Sequence, residues 1–131
     1  MGKYASAIAK TGLRIPGNDV CTTGAEIPKL LELTYDEDPL VRSLAAKNLC
    51  GCHVRADHPE IWDRIVELLD DPVADVRANA VHALGDSSPK HRAHDFAAAL
   101  EPLYNDPDPH LRKRVRKVIT AYRRTGSVNV L

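Results

Sequence analysis

Asp71-Pro72-Val73-Ala74-Asp75-Val76-Arg77-Ala78-Asn79-Ala80-Val81-His82-Ala83-Leu84-Gly85 is the central copy of a pattern that the chain writes three times. Its first seven residues align with Asp36-Glu37-Asp38-Pro39-Leu40-Val41-Arg42 and with Asp106-Pro107-Asp108-Pro109-His110-Leu111-Arg112, at an offset of 35 residues each time and without a gap. Downstream, Ala45, Ala80 and Val115 coincide, then Leu49, Leu84 and Ile119. Upstream, Leu30, Ile65 and Leu100 share one column, and Leu33, Leu68 and Leu103 another. A fixed period of this length with apolar columns in register is the mark of a repeat architecture.

Each repeat holds two helical patterns. The first is predicted over 25–34, 59–70 and 89–104, where Ile27, Leu30, Leu31 and Thr34 become Trp62, Ile65, Val66 and Leu69. That is the i, i+3, i+4, i+7 stripe of an amphipathic helix. The second is predicted over 39–50, 74–84 and 109–124, with Val41, Ala45, Leu49 and Val76, Ala80, Leu84 on one face. Asp38-Pro39, Ser88-Pro89 and Asp108-Pro109 each place a capping side chain before a proline suited to a first helical position. Gly51, Gly85 and Gly126 stand where a left-handed C-cap belongs, and Pro102 should kink the helix that contains it.

A lone helical hairpin cannot cover its own apolar stripe, so such hairpins stack, and about three suffice for stability. The expected fold is therefore an all-α solenoid of three hairpins (25–51, 58–85 and 88–124) within a repeat domain at 25–124. Residues 1–24, with Ala5, Ile8 and Ala9 in a short helix, should cap the first hairpin, and 125–131 read as a frayed tail.

The motif Asp-Pro-x-x-x-Val-Arg-x-x-Ala-x-x-Ala-Leu-Gly in 71–85 resembles the second-helix signature of HEAT repeats, and is most similar to the short bacterial repeats related to phycobilisome-lyase proteins. The likeness spans 25–124. The first repeat departs from it with Glu37 in place of proline and Cys50 in place of glycine, and the third with Lys117-Val118-Ile119-Thr120. The resemblance implies a right-handed α-α solenoid whose second helices line a concave face. It also implies that the turn aspartates Asp36, Asp71 and Asp106 pair with Arg42, Arg77 and Arg112 in a ladder between stacked units, a contact suited to the guanidinium fork.

Turning the core stripe inward leaves Leu44 and Lys47, Asn79 and His82, and Lys113, Arg114 and Lys117 facing that groove. These are the residues expected to touch a partner. The last helix carries Arg112, Lys113, Arg114, Arg116, Lys117, Arg123 and Arg124, and 110–131 contain no acid. The preceding 109 residues hold 18 acids against 11 bases, so a chain of zero formal charge divides into parts of −7 and +7. A peptide or protein with an acidic segment is the partner this charge suits. The alternative is nucleic acid on the same helix, although aromatics do not interleave the cations as they do on stacking platforms. The split would also allow a head-to-tail contact between copies, and leaves the oligomeric state open.

Catalysis is not expected. His82, His91 and His94 have no nucleophile, carboxylate pair or phosphate loop at a recognisable spacing. Cys50, Cys52, His53 and His58 form C-x-C-H-x4-H, but zinc sites usually draw their knuckles from separate segments, so small buried thiols are the expected reading and no metal or cofactor is assigned. Nor does any residue point to a tetrapyrrole. An odd count of three cysteines, no sustained apolar run and no secretory leader suggest a reduced, cytoplasmic setting without a membrane span.

Overall fold

The computed structural model describes residues 2–13, 26–50 and 58–131. Those residues form seven α-helices and no strand: α1 (Ala5–Thr11), α2 (Ile27–Leu33), α3 (Pro39–Asn48), α4 (Pro59–Leu68), α5 (Ala74–Asp86), α6 (Ala93–Leu100) and α7 (Pro109–Thr125). Short 3-10 turns at Lys90–Arg92 and Glu101–Leu103 flank α6. Helices α2/α3, α4/α5 and α6/α7 pack as hairpins, and α3, α5 and α7 pack side by side, so the hairpins stack into an all-α solenoid.

Local chemistry places the helix starts. The Asp38 carboxylate accepts from Leu40 N at 2.9 Å, and that of Asp108 accepts from His110 N and Leu111 N at 2.9 and 3.0 Å. Prolines 39 and 109 then fill a first-turn position that needs no N–H. Backbone hydrogen bonds lower the pKa of Asp108, the one from Leu111 most. In all three repeats the aspartate six residues before the arginine closes the same small turn: Asp36, Asp71 and Asp106 accept from the N–H two residues on, at 2.9 Å each.

The columns become a continuous core of Ile27, Leu30, Leu49, Ile61, Ile65, Leu68, Val76, Leu84, Phe96, Leu100, Leu111, Val115 and Ile119. Trp62 is 4% exposed and meets Phe96 with ring centroids 5.8 Å apart.

Several local expectations are corrected. Gly85 is not a left-handed cap but lies inside α5, where a Cβ would come within 2.6 Å of the Leu131 side chain. Close approach is its reason to be glycine. Gly126 does take the left-handed conformation, with φ 76°, and its N–H closes on Tyr122 O. Ser88 does not cap the helix after it: its hydroxyl donates to Leu84 O. Pro102 does not kink a continuous helix, because α6 stops at Leu100 and the chain tightens into the 3-10 turn. The tail is not frayed. Val128 is 1% exposed, Asn129 receives Ser88 N at 2.9 Å and donates to Ser88 O at 3.0 Å, and Leu131 N reaches Gly85 O at 2.7 Å.

Candidate functional site

Two bidentate ion pairs tie the repeats together. The Arg42 fork donates to both oxygens of Asp71 at 2.9 and 3.1 Å, and the Arg77 fork to both oxygens of Asp106 at 3.0 Å. In each repeat the remaining arm donates to the main chain of the arginine's own turn: Arg42 to Asp36 O, Arg77 to Asp71 O and Arg112 to Asp106 O, at 2.8, 2.9 and 3.0 Å. Arg42 and Arg77 thus each staple their own turn and clasp the next one. Among the described residues, Arg112 makes the turn contact but meets no carboxylate, and the Asp36 carboxylate at the opposite end meets no arginine fork. Among the described residues the ladder thus has two closed rungs.

The face formed by α3, α5 and α7, away from the first helices of the hairpins, holds the expected partner-binding residues, and its two ends differ. Leu44 does not face an open groove. It is fully buried with Tyr4, Ala7 and Val41, beneath α1, with Ile8, Leu13, Leu33 and Leu40 around them. The Tyr4 hydroxyl reaches Ser43 Oγ and donates to Asp75, both at 3.2 Å, while Lys3 forms an ion pair with Asp75. Asn79 donates to Tyr4 and to Ser43 and is engaged inside this network. Burial raises the pKa of Asp75, but the bonds from Lys3 and Ser43 outweigh it and the net shift is downward. The hydrogen bond to Asp75 raises Lys3 in turn. Lys47 is half-buried on α3, and Lys10 pairs with Asp38 at 2.9 Å. Residues 2–13 thus lie on α3 and reach across to α5, over positions expected from the sequence to face the groove.

On α7 the arrangement reverses. Lys113, Arg114 and Lys117 are exposed, project together, and have no carboxylate partner among the described residues; Arg124 shares that state. They line shallow clefts, one of about 550 Å³ between His110, Lys113, Arg114, Lys117 and Leu131. A second, of about 290 Å³, runs from Arg114 and His110 to Asp75 and Ala78 on α5. The other three arginines of α7 are occupied, Arg112 through one arm by the main chain of its own turn. Arg116 donates to Tyr104 O and Asn105 at 2.8 Å and lies over the Tyr104 ring, and Arg123 meets Glu101 at 3.3 Å.

The histidines and cysteines separate. His94 contacts the Tyr122 hydroxyl at 3.0 Å, and His91 is exposed. His58 stands at the N-cap position of α4 without a capping side-chain bond, its ring 3.4 Å from Glu60. Cys52 and His53 lie outside the described residues, as does Gly51. Cys50 is buried at the end of α3, where His82 and Asp86 of α5 come to it. Sequence reasoning missed that grouping and the Tyr4 network. Tyr4, Ala7 and Ile8 do stand at i, i+3 and i+4, a stripe that could have flagged the docking of α1.

No helix among the described residues is long and apolar enough to cross a membrane. No curated protein and no solved structure matches the chain. A family model described as HEAT repeats matches residues 27–120, the span from α2 to the last turns of α7. On that match, joined to three stacked hairpins with an arginine–aspartate ladder, the chain belongs to the HEAT-repeat family.

Proposed function

We propose that this chain is a non-catalytic interaction module that takes an acidic segment of a partner protein along α7. HEAT repeats generally mediate protein–protein interaction. The observation that carries the finer reading is the cluster of Lys113, Arg114 and Lys117, exposed together and without a carboxylate among the described residues. Clustered like charge raises the local concentration of an opposite partner and speeds its encounter. Arg112 adds a fork of the kind that Arg42 and Arg77 fill with aspartate, at the end of the ladder. A carboxylate is the group that such a fork takes.

Fluorescence anisotropy of a labelled glutamate-rich peptide tests this reading, with duplex DNA and single-stranded RNA as parallel probes. The peptide should bind, and its affinity should fall as salt rises. Replacing Lys113, Arg114 and Lys117 by glutamine should weaken binding by about tenfold or more and flatten the salt dependence, each lost contact counting for a modest energy. Equal binding by the triple variant would remove α7 from the site. Tighter binding of nucleic acid than of peptide, steeply salt-dependent and lost in the triple variant, would replace the acidic protein by a phosphate backbone.

A further inference from the structure

We infer that Cys50, His82 and Asp86 form a binding site for a zinc-class divalent cation at the junction of the first and second repeats. The three side chains come from two helices that neighbouring repeats bring together. Cys50 follows the last turn of α3, and His82 and Asp86 stand one turn apart on α5. Their donor atoms all lie within 4.8 Å of one another. Cys50 Sγ is 3.6 Å from Asp86 Oδ2, and His82 Nε2 is 3.6 Å from the same oxygen.

The two separations to Asp86 suit a shared metal. Zinc bonds of about 2.3 Å to sulfur and about 2.0–2.2 Å to nitrogen and oxygen, at a tetrahedral angle, place sulfur and oxygen roughly 3.5 Å apart and nitrogen and oxygen roughly 3.4 Å apart. One thiolate, one imidazole and one carboxylate form a borderline-soft set that favours zinc over magnesium or calcium. Three protein donors leave one tetrahedral position for a water or a further ligand.

Electrostatics of the fold point the same way. Asp86 is the last residue of α5, where the partial negative charge of the helix end disfavours a carboxylate and favours a cation. Cys50 lies just past the end of α3, so the carbonyl ends of two helices meet at this place. The repeat itself supplies an internal comparison. One period on, the three positions are Gly85, Lys117 and Ala121, which offer no ligand set. The cluster is therefore specific to one junction and is not demanded by the stacking. Binding would release the Cys50 thiol proton to solvent and require the neutral form of His82.

The test uses the full chain, reduced and freed of metal with a chelator, then titrated with zinc chloride alone by calorimetry and with cobalt chloride by absorbance. One equivalent should bind, with a thiolate-to-cobalt charge-transfer band that Cys50→Ser abolishes. His82→Ala and Asp86→Asn should each weaken binding by at least about tenfold, the loss that even the outer partners of metal ligands produce. Both sites are partly exposed, and His82→Gln together with circular dichroism guards against a folding artefact. Failure to bind one equivalent would overturn the site. So would binding that His82→Ala and Asp86→Asn leave intact, including binding removed only by Cys52→Ser or His53→Ala, which would place the metal on the C-x-C-H motif instead.

Discussion

The first and third repeats share a backbone plan and use the same face in opposite ways. Over α3 that face is covered from within the chain: α1 buries Leu44, and Lys3 and Tyr4 satisfy Asp75. On α7 the corresponding ridge carries Lys113, Arg114 and Lys117 out to solvent. The ladder repeats the contrast, since Arg42 and Arg77 clasp aspartates of the following repeat while Arg112 clasps none among the described residues. A repeat protein therefore does not present one uniform groove. Whatever lies on the stack, an N-terminal helix here, decides which repeats remain available to a partner.

The largest expected effect separates a closed rung from the open one. Asp106 is 4% exposed and holds Arg77, so Asp106→Ala leaves an uncompensated guanidinium and should cost about 3–5 kcal/mol. Arg112→Ala removes only a bond to its own turn and should cost about 1 kcal/mol. This corrects the expectation of an equivalent rung at Arg112. Urea denaturation of both variants measures the difference, and equal losses would erase the distinction between rungs.

Next comes Leu44→Ala. A leucine fully buried beneath α1 should cost about 2–5 kcal/mol on truncation, whereas one facing an open groove should change stability by no more than about 0.5 kcal/mol. Thermal unfolding distinguishes these outcomes. A negligible change would mean that α1 does not cover the first repeat.

A smaller effect is the acid sensitivity of the α1 contact. The folded-state pKa of Asp75 is depressed, so its contribution is present above the ordinary carboxylate range and is lost as pH falls through the folded value. The protection of α1 amides relative to intrinsic exchange should therefore fall at the acid end of the native range. In Asp75→Asn that protection should already be lower near neutrality and lose its pH dependence. Unchanged α1 protection in the variant would show that the Lys3 and Tyr4 contacts do not hold the helix.

The stack was legible in the sequence because burial is periodic: a column such as Leu30, Ile65 and Leu100 can be read only as one side of a core. The Asp-x5-Arg spacing likewise exposed the rungs once the likeness to HEAT repeats was seen. What could not be read were contacts outside the period. Leu44 lies off the core stripe of its own helix and is buried only because a segment about 40 residues upstream docks on it. The tail, Gly126-Ser127-Val128-Asn129-Val130-Leu131, continues no helical period, yet Asn129 supplies Ser88 with both an acceptor and a donor, and Leu131 fits against Gly85. Of the candidate site, the exposed cations of α7 followed from helical register. Asn79 and Leu44 did not, because the presence of α1 changes what their positions mean.

The smallest expected effect on stability belongs to the surface proposed to take the partner. Glutamine at 113, 114 and 117 should shift unfolding by no more than about 0.5 kcal/mol, as exposed substitutions usually do. Binding should nevertheless weaken by about tenfold or more, and calorimetric unfolding beside the anisotropy titration separates the two. A large drop in stability would make these side chains structural and close the contrast between the repeats.

The central claim is that the third repeat, and not the covered first, receives the partner. Its most direct test is a two-dimensional nitrogen–proton spectrum of the labelled chain, recorded while the glutamate-rich peptide is added. The account predicts that shifts concentrate at Lys113, Arg114 and Lys117 of α7 and at the adjoining Leu131, with α1 and α3 unmoved. Shifts centred on Tyr4, Leu44 and α3, or none anywhere at millimolar peptide, would contradict it.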